Sequence, residues 1–167
     1  DDIDLNSPPG FLGEVVRWVN GQCLYPLPSL SVAVSLIGIS ALSQGRYIDE
    51  KDGITTNLMV FCTAGSGTGK ESVQKALAEM LRAGAQEKNM YGGLKSEQEL
   101  IRNLVRCPSS TYCIDEFGII LGKITNAKKS GAHYLEGLIA AIMSIYSKAD
   151  SFYLPTGDMK TDMEKHI

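Results

Sequence analysis

The sequence predicts an α/β fold, and one stretch in the middle of the chain carries most of that prediction. Residues 58–62 form an apolar run, residues 65–69 are rich in glycine, and residues 71–81 repeat apolar side chains at helical spacing. Further along, residues 97–106 have a helical pattern, and residues 111–118 have the pattern of a short apolar strand that ends in two acids. Strands that alternate with helices indicate an α/β domain.

The first 56 residues predict a helical extension that precedes this domain. Leu12, Val15, Val16 and Val19 recur at helical spacing. Residues 30–44 are apolar on nearly every side, so we expect a helix there that is buried against the sheet or against another subunit. We therefore divide the chain into an extension at residues 1–56 and a core domain at residues 57–167.

The composition is that of a globular protein and gives no general sign of nucleic-acid binding. The chain has 167 residues, of which 44% are hydrophobic and 21% charged, and its formal net charge is −3. A basic surface for nucleic acid would therefore have to be local, shared between subunits, or carried by parts of a longer protein. The longest apolar stretch, residues 30–42, is too short to span a bilayer. The four cysteines lack C-x-x-C spacing, which predicts reduced thiols in a cytoplasmic protein, with Cys62 and Cys113 buried.

The segment that follows the apolar run has the chemistry of a phosphate-binding loop. Glycines allow consecutive backbone N–H groups to turn toward one anion, and a helix N-terminus directly behind the loop adds partial positive charge. Lys70 then supplies a full positive charge at the phosphates. The predicted nucleotide-binding residues are Gly65, Ser66, Gly67, Thr68, Gly69, Lys70, Glu71 and Ser72.

Two positions depart from the usual P-loop sequence, G-x-x-x-x-G-K-[ST]. Ala64 replaces the first glycine, and Glu71 replaces the residue whose hydroxyl would ligate Mg²⁺. The carboxylate of Glu71 either binds the metal itself or points away from the phosphates. Ser72 lies one residue further, about 100° around the helix, which makes it a poor direct substitute. The alternative for the whole stretch is a glycine-rich turn followed by a solvated lysine.

Asp115 and Glu116 form the second informative motif, about 45 residues after Lys70. In P-loop ATPases an aspartate at the end of a strand holds Mg²⁺, and a neighbouring glutamate can polarise the attacking water. We therefore predict ATP and Mg²⁺ as cofactors, Lys70 and Glu116 as catalytic residues, and Asp115 with Glu71 as metal ligands. The alternative is a strand that simply ends in acids at a turn.

Together these segments resemble an uncharacterised P-loop domain found in primase-helicase-like proteins of phages and other mobile elements. The resemblance covers most of the chain and depends on the order of residues 9–13, 30–42, 56–58, 65–70, 96–100 and 114–118. It implies a RecA-like or AAA+-like (ASCE) P-loop NTPase core, a role in replicating the element's DNA, and assembly into oligomers. Residues 67–71 are also similar to the P-loop of the AAA+ activators of sigma-54 RNA polymerase, which carry glutamate after the lysine and hydrolyse ATP. Their polymerase-contacting signature has no counterpart here.

Two functional hypotheses follow. The first is an ATPase, helicase-like or loader-like, whose partners are nucleotide, DNA and other copies of itself. The second is a nucleotide-gated assembly or binding module with little or no hydrolysis. Because the chain begins with Asp1, and because only residues 151–154 suggest a further strand, we expect an incomplete core cut from a longer protein. A basic loop with Lys123, Lys128 and Lys129 either contacts nucleic acid or is solvated.

Overall fold

The computed structural model describes residues 4–125 and 133–149, and it is an α/β structure that is mostly helical. Within those residues it contains six α-helices and a small two-stranded parallel sheet. The α/β class is thus confirmed, whereas the larger P-loop NTPase core stays a prediction. The elements in chain order are α1 (Gly10–Gly21), α2 (Pro28–Ser43), α3 (Lys70–Ala83), β1 (Met90–Tyr91), α4 (Glu97–Arg106), β2 (Thr111–Tyr112), α5 (Phe117–Thr125) and α6 (His133–Ser147).

The chain divides into two compact units. The first unit contains the residues up to Tyr47 together with Thr56–Met90, and the second contains Ile48–Thr55 and the described residues from Tyr91 onward. The first unit therefore combines the predicted N-terminal extension with the glycine loop and its helix. The predicted domain boundary between residues 56 and 57 does not coincide with a boundary between these compact units. The division into an extension and a core domain stays a prediction.

Helices α1, α2 and α3 make the core of the first unit. The predicted helices at residues 12–19 and 71–81 are confirmed as α1 and α3. Their apolar faces meet in a cluster in which burial also raises the pKa of the Cys23 thiol. Removing such side chains from water is the main favourable term in folding. The buried members of the cluster are Val19, Cys23, Val73, Ala76 and Met80.

Helix α2 is buried along a stripe of small residues and not on every side. Ser31, Ser35 and Gly38 are its buried residues, whereas Leu36 is exposed. The two hydroxyls are satisfied, because Ser31 Oγ donates to Asn20 Oδ1 at 2.6 Å and Ser35 Oγ donates to the Ser31 carbonyl at 2.6 Å. A Cβ at Gly38 would collide with the Met80 side chain. The predicted helix is confirmed, but in the described structure it packs against α1 and α3 and not against the sheet, because its small residues allow close approach of those helices.

Replacing Gly13 with alanine should destabilise the first unit. Gly13 is buried in α1, and a Cβ there would collide with the backbone carbonyl of Pro8. Overpacking of this kind costs about 1–3 kcal/mol, and each kcal/mol lowers the Tm of a chain of this length by about 2–4 °C. Gly21→Ala in the same helix is the matched control, because nothing lies within 4 Å of its Cβ position. Thermal unfolding monitored by circular dichroism should show a lower Tm for Gly13→Ala and an unchanged Tm for Gly21→Ala. Equal Tm values for the two variants would contradict the packing described here.

Residues 58–62, predicted as the strand before the glycine loop, form no strand in the described structure. The side chains of Leu58, Val60 and Phe61 are 47%, 42% and 67% exposed, and Cys62 is exposed as well. A strand needs a neighbour to share its backbone hydrogen bonds, and the sheet of the described residues consists of β1 and β2 only. The prediction of a buried strand here is therefore wrong, and so is the predicted burial of Cys62.

The second unit is built on a strand-helix-strand element, β1–α4–β2. Ser96 and Glu99, at the S-x-x-E spacing of a capping box, begin α4: Glu99 N donates to Ser96 Oγ at 3.2 Å, and Lys95 N donates to Glu99 Oε2 at 2.9 Å. Cys113 N donates to the Tyr91 carbonyl at 2.9 Å and extends the pairing of the two strands. The buried core comes from α4, the loop before it and α6, and its members are Leu94, Leu100, Leu135, Leu138 and Ala141.

Several smaller predictions also have an outcome. The strand predicted at residues 111–118 is shorter than expected, since β2 ends at Tyr112 and α5 begins at Phe117. Cys113 is half-buried, and all four cysteines are free thiols. The strand suggested at residues 151–154 and the lysines at positions 128 and 129 lie outside the described residues. Among the helices that the structure describes, none has the length and apolar character needed to cross a bilayer.

Candidate functional site

The glycine loop forms a tight turn that depends on two glycines. Gly67 and Gly69 have φ angles of 73° and 86°, in the left-handed region that side chains with a Cβ rarely adopt. Thr68 Oγ1 donates to the Gly65 carbonyl at 2.9 Å and closes the turn. Nothing lies within 4 Å of the Cβ positions of Gly67 and Gly69, so the backbone on this side of the loop faces open space. An anion could therefore approach the loop backbone closely.

The loop leads directly into the N-terminus of α3. Gly69 is the N-cap residue and Lys70 is the first helical residue, and no side chain caps the helix. The first backbone N–H groups of a helix lack partners within the helix and carry the positive end of its dipole. Ser72 N is one exception, since it donates to the Gly69 carbonyl at 2.9 Å. This end of α3, with the half-buried Lys70, has the donors and the charge that a phosphate group requires.

Glu71 and Ser72 occupy different environments in the first turn of α3. Glu71 is exposed and is the one acidic residue of that turn, whereas Ser72 is half-buried. A carboxylate in the first turn is favourable with the helix dipole, by about 0.3–1 kcal/mol. Glu71 therefore has a structural reason for its position in addition to the predicted role in metal binding.

Asp115 and Glu116 lie in the second unit, at the turn between the β2 segment and α5. Both side chains are exposed. Glu116 N donates to Asp115 Oδ1 at 2.9 Å, and the Glu116 carbonyl accepts from Ile119 N at 2.9 Å, at the start of α5. Glu116 has a φ of 54°, although it is not glycine. Such strain costs on the order of 1 kcal/mol or more and occurs preferentially at functional sites.

The structure thus brings residues 65–72 together in the first unit, and it places Asp115 and Glu116 together in the second. Within the described residues no group of three or more His, Cys, Asp or Glu side chains could hold a metal ion. Magnesium in nucleotide sites is usually held by one or two carboxylates together with phosphate oxygens and water. The predicted ligands Asp115 and Glu71 fit that mode in chemical type.

Comparisons with known proteins add no family assignment. No protein-family model, no curated protein and no solved structure matches this chain. The resemblance to the P-loop domain of primase-helicase-like proteins therefore stays a prediction, and the functional argument depends on the residues of the chain itself.

Sequence reasoning missed a polar groove along one face of α4. It has a volume of about 570 Å³. Residues three and four apart share one face of a helix, so the helical pattern at residues 97–106 already places most of its side chains together. The groove is lined by Lys95, Ser96, Glu99, Arg102, Asn103 and Arg106.

Two tyrosines from the paired strands stack on each other in the second unit. The ring centroids of Tyr91 and Tyr112 are 5.0 Å apart. Burial raises the pKa of the Tyr112 hydroxyl, which lies beside Asn103 and Ser110.

Proposed function

We propose that this chain is a P-loop domain that binds ATP with Mg²⁺ and hydrolyses it to drive a DNA transaction in the cytoplasm, in a helicase-like or loader-like role. The geometry of residues 65–70 carries the proposal. Two left-handed glycines lead straight into the uncapped N-terminus of α3, and Lys70 is its first residue. A glycine-rich turn followed by a solvated lysine does not require all three of these features at once.

The roles of the residues follow from their chemistry. The amides of residues 65–69 and the Lys70 ammonium group would hold the β- and γ-phosphates. Asp115, directly or through water, and Glu71 are the two carboxylates that we propose as Mg²⁺ ligands, and the metal would neutralise charge on the phosphates. Glu116 would orient a water molecule and accept its proton. Two features support the assignment of Asp115 and Glu116. They lie in the turn that connects β2 to α5, and the backbone of Glu116 is left-handed.

Glu71 favours a second candidate, a nucleotide-gated binding module with little or no hydrolysis. The carboxylate stands where a P-loop usually provides a hydroxyl to Mg²⁺, and it is exposed at the positive end of α3. A site that lacks this ligand could hold ATP and yet position the metal too poorly for phosphoryl transfer.

An ATP turnover assay on the full chain distinguishes the two candidates. Turnover is measured alone and with single-stranded or double-stranded DNA, and ATP affinity is measured in parallel. We expect turnover that rises on addition of DNA, because a DNA-dependent ATPase couples its cycle to that partner. Tight ATP binding with no turnover under any of these conditions would support the gated module. A chain that neither binds nor hydrolyses ATP would contradict both candidates.

A further inference from the structure

The groove on α4 is a basic surface on an acidic protein. The formal net charge of the chain is −3, yet the groove is lined by three cations and one carboxylate. That carboxylate, Glu99, is already engaged, since its Oε2 accepts a hydrogen bond from Lys95 N. Among the described residues, no hydrogen bond or ion pair involves the side chains of Lys95, Arg102 or Arg106.

The spacing of these cations suits a chain of anions. Arg102 and Arg106 are four residues apart on one helix, so they share a face and are separated by about 6 Å along the axis. Lys95 precedes the same helix and lines the same groove. Both arginines are exposed, so an extended ligand can reach them without rearrangement of the core. Three cations that line one groove can each contact a different charge of a single polyanion.

A polar side chain lies among the cations of the groove. Asn103 lines it and offers both a donor and an acceptor. The lining contains no aromatic ring among the described residues, which favours contact with a backbone over stacking on bases.

We propose that the α4 groove binds the phosphate backbone of nucleic acid, without sequence preference, through Lys95, Arg102 and Arg106. Guanidinium groups bind phosphate in a bidentate geometry. A nucleic acid has the charge density to bind an acidic protein locally, because counterions are released as phosphates are neutralised. The inference rests on the proposed action on DNA, and it does not depend on ATP hydrolysis.

The test compares two double variants of the full chain in a fluorescence-polarisation assay. Arg102→Ala with Arg106→Ala removes the groove cations, whereas Lys51→Ala with Lys88→Ala removes two exposed cations elsewhere and changes the net charge equally. The probes are a labelled oligonucleotide of about 20 nucleotides, single-stranded or as a duplex, which exceeds the usual site size of a binding module. Affinity is measured between about 50 and 200 mM salt, and circular dichroism verifies folding of each variant.

We expect the arginine variant to bind at least about tenfold more weakly, with a salt slope reduced by roughly 1.5, because two phosphate contacts are lost. The lysine variant should bind like the unmodified chain. Whether the single-stranded or the duplex oligonucleotide shows this difference identifies which of the two the groove binds. The proposal would be overturned if both double variants lost the same oligonucleotide affinity, or if the unmodified chain bound neither form of the oligonucleotide. It would also be overturned if polyglutamate displaced the labelled oligonucleotide as well as the unlabelled oligonucleotide does. ATP affinity is measured on the same samples, so failure of the groove is distinguished from failure of the ATP site.

Discussion

Replacing Lys70 with alanine is expected to weaken ATP binding strongly. Lys70 is the first residue of α3, directly behind the left-handed Gly69. Its ammonium group is the one full positive charge that the sequence places in the loop at residues 65–70. Loss of a charge-assisted contact to phosphate costs about 2–4 kcal/mol, which corresponds to a roughly 30- to 700-fold weaker Kd. Calorimetric titration with ATP measures the change.

Lys75→Ala is the matched control for this experiment. Lys75 is an exposed lysine of the same helix, five residues further on, so it lies on a different face from Lys70. The two variants share the same chemical change, the same helix and the same change in net charge. If Lys75→Ala weakens ATP binding as much as Lys70→Ala, the effect belongs to overall charge, and the assignment of Lys70 to the phosphates fails.

Replacing Glu116 with glutamine is expected to leave ATP binding within about twofold and to lower turnover by roughly 10²- to 10⁴-fold, the usual contribution of a general base. Glutamine keeps the size of the side chain but cannot accept the proton of water. Its backbone amide can still donate to Asp115 Oδ1, so the turn into α5 should persist. Single-turnover hydrolysis and equilibrium ATP binding, measured side by side, separate the two effects.

Glu50→Gln controls for the loss of a negative charge, since Glu50 is exposed and belongs to the same compact unit. It should hydrolyse ATP at the unmodified rate. Turnover by Glu116→Gln at the unmodified rate would show that Glu116 is not the base. Loss of both binding and turnover would indicate instead that the carboxylate supports the structure of the turn.

The helices could be predicted from the sequence because their signals are local. Apolar residues three and four apart define the buried faces of α1 and α3, and the S-x-x-E spacing of Ser96 and Glu99 marks the start of α4. The glycine loop was equally readable, because left-handed backbone at Gly67 and Gly69 is the property that only glycine provides freely.

The strands were less predictable because a strand depends on its partner. Residues 58–62 have an apolar pattern, but no strand of the described structure pairs with them, and the side chains of Leu58, Val60, Phe61 and Cys62 are exposed. In contrast, β2 forms because β1 lies beside it. The apolar pattern predicts α2 (Pro28–Ser43), but burial along Ser31, Ser35 and Gly38 could not be inferred from hydrophobicity alone.

The two candidate sites differ in the same way. The glycine loop at residues 65–69 is one continuous segment, so it can be identified from the sequence alone. The α4 groove combines Arg102 and Arg106 with Lys95, which lies outside the helix. Such a surface becomes visible only when the helix start and its buried face are known. The left-handed backbone of Glu116 is likewise a structural finding, because glutamate has no sequence preference that predicts it.

The most direct test of the central claim, that residues 65–70 bind the phosphates of ATP, is calorimetric titration of the unmodified chain with ATP and with AMP in the presence of Mg²⁺. A site built from backbone amides, a helix N-terminus and Lys70 recognises the β- and γ-phosphates, which AMP lacks. The account predicts one bound ATP for each chain and at least about tenfold weaker binding of AMP. Equal affinity for the two nucleotides, or no ATP binding at all, would contradict it.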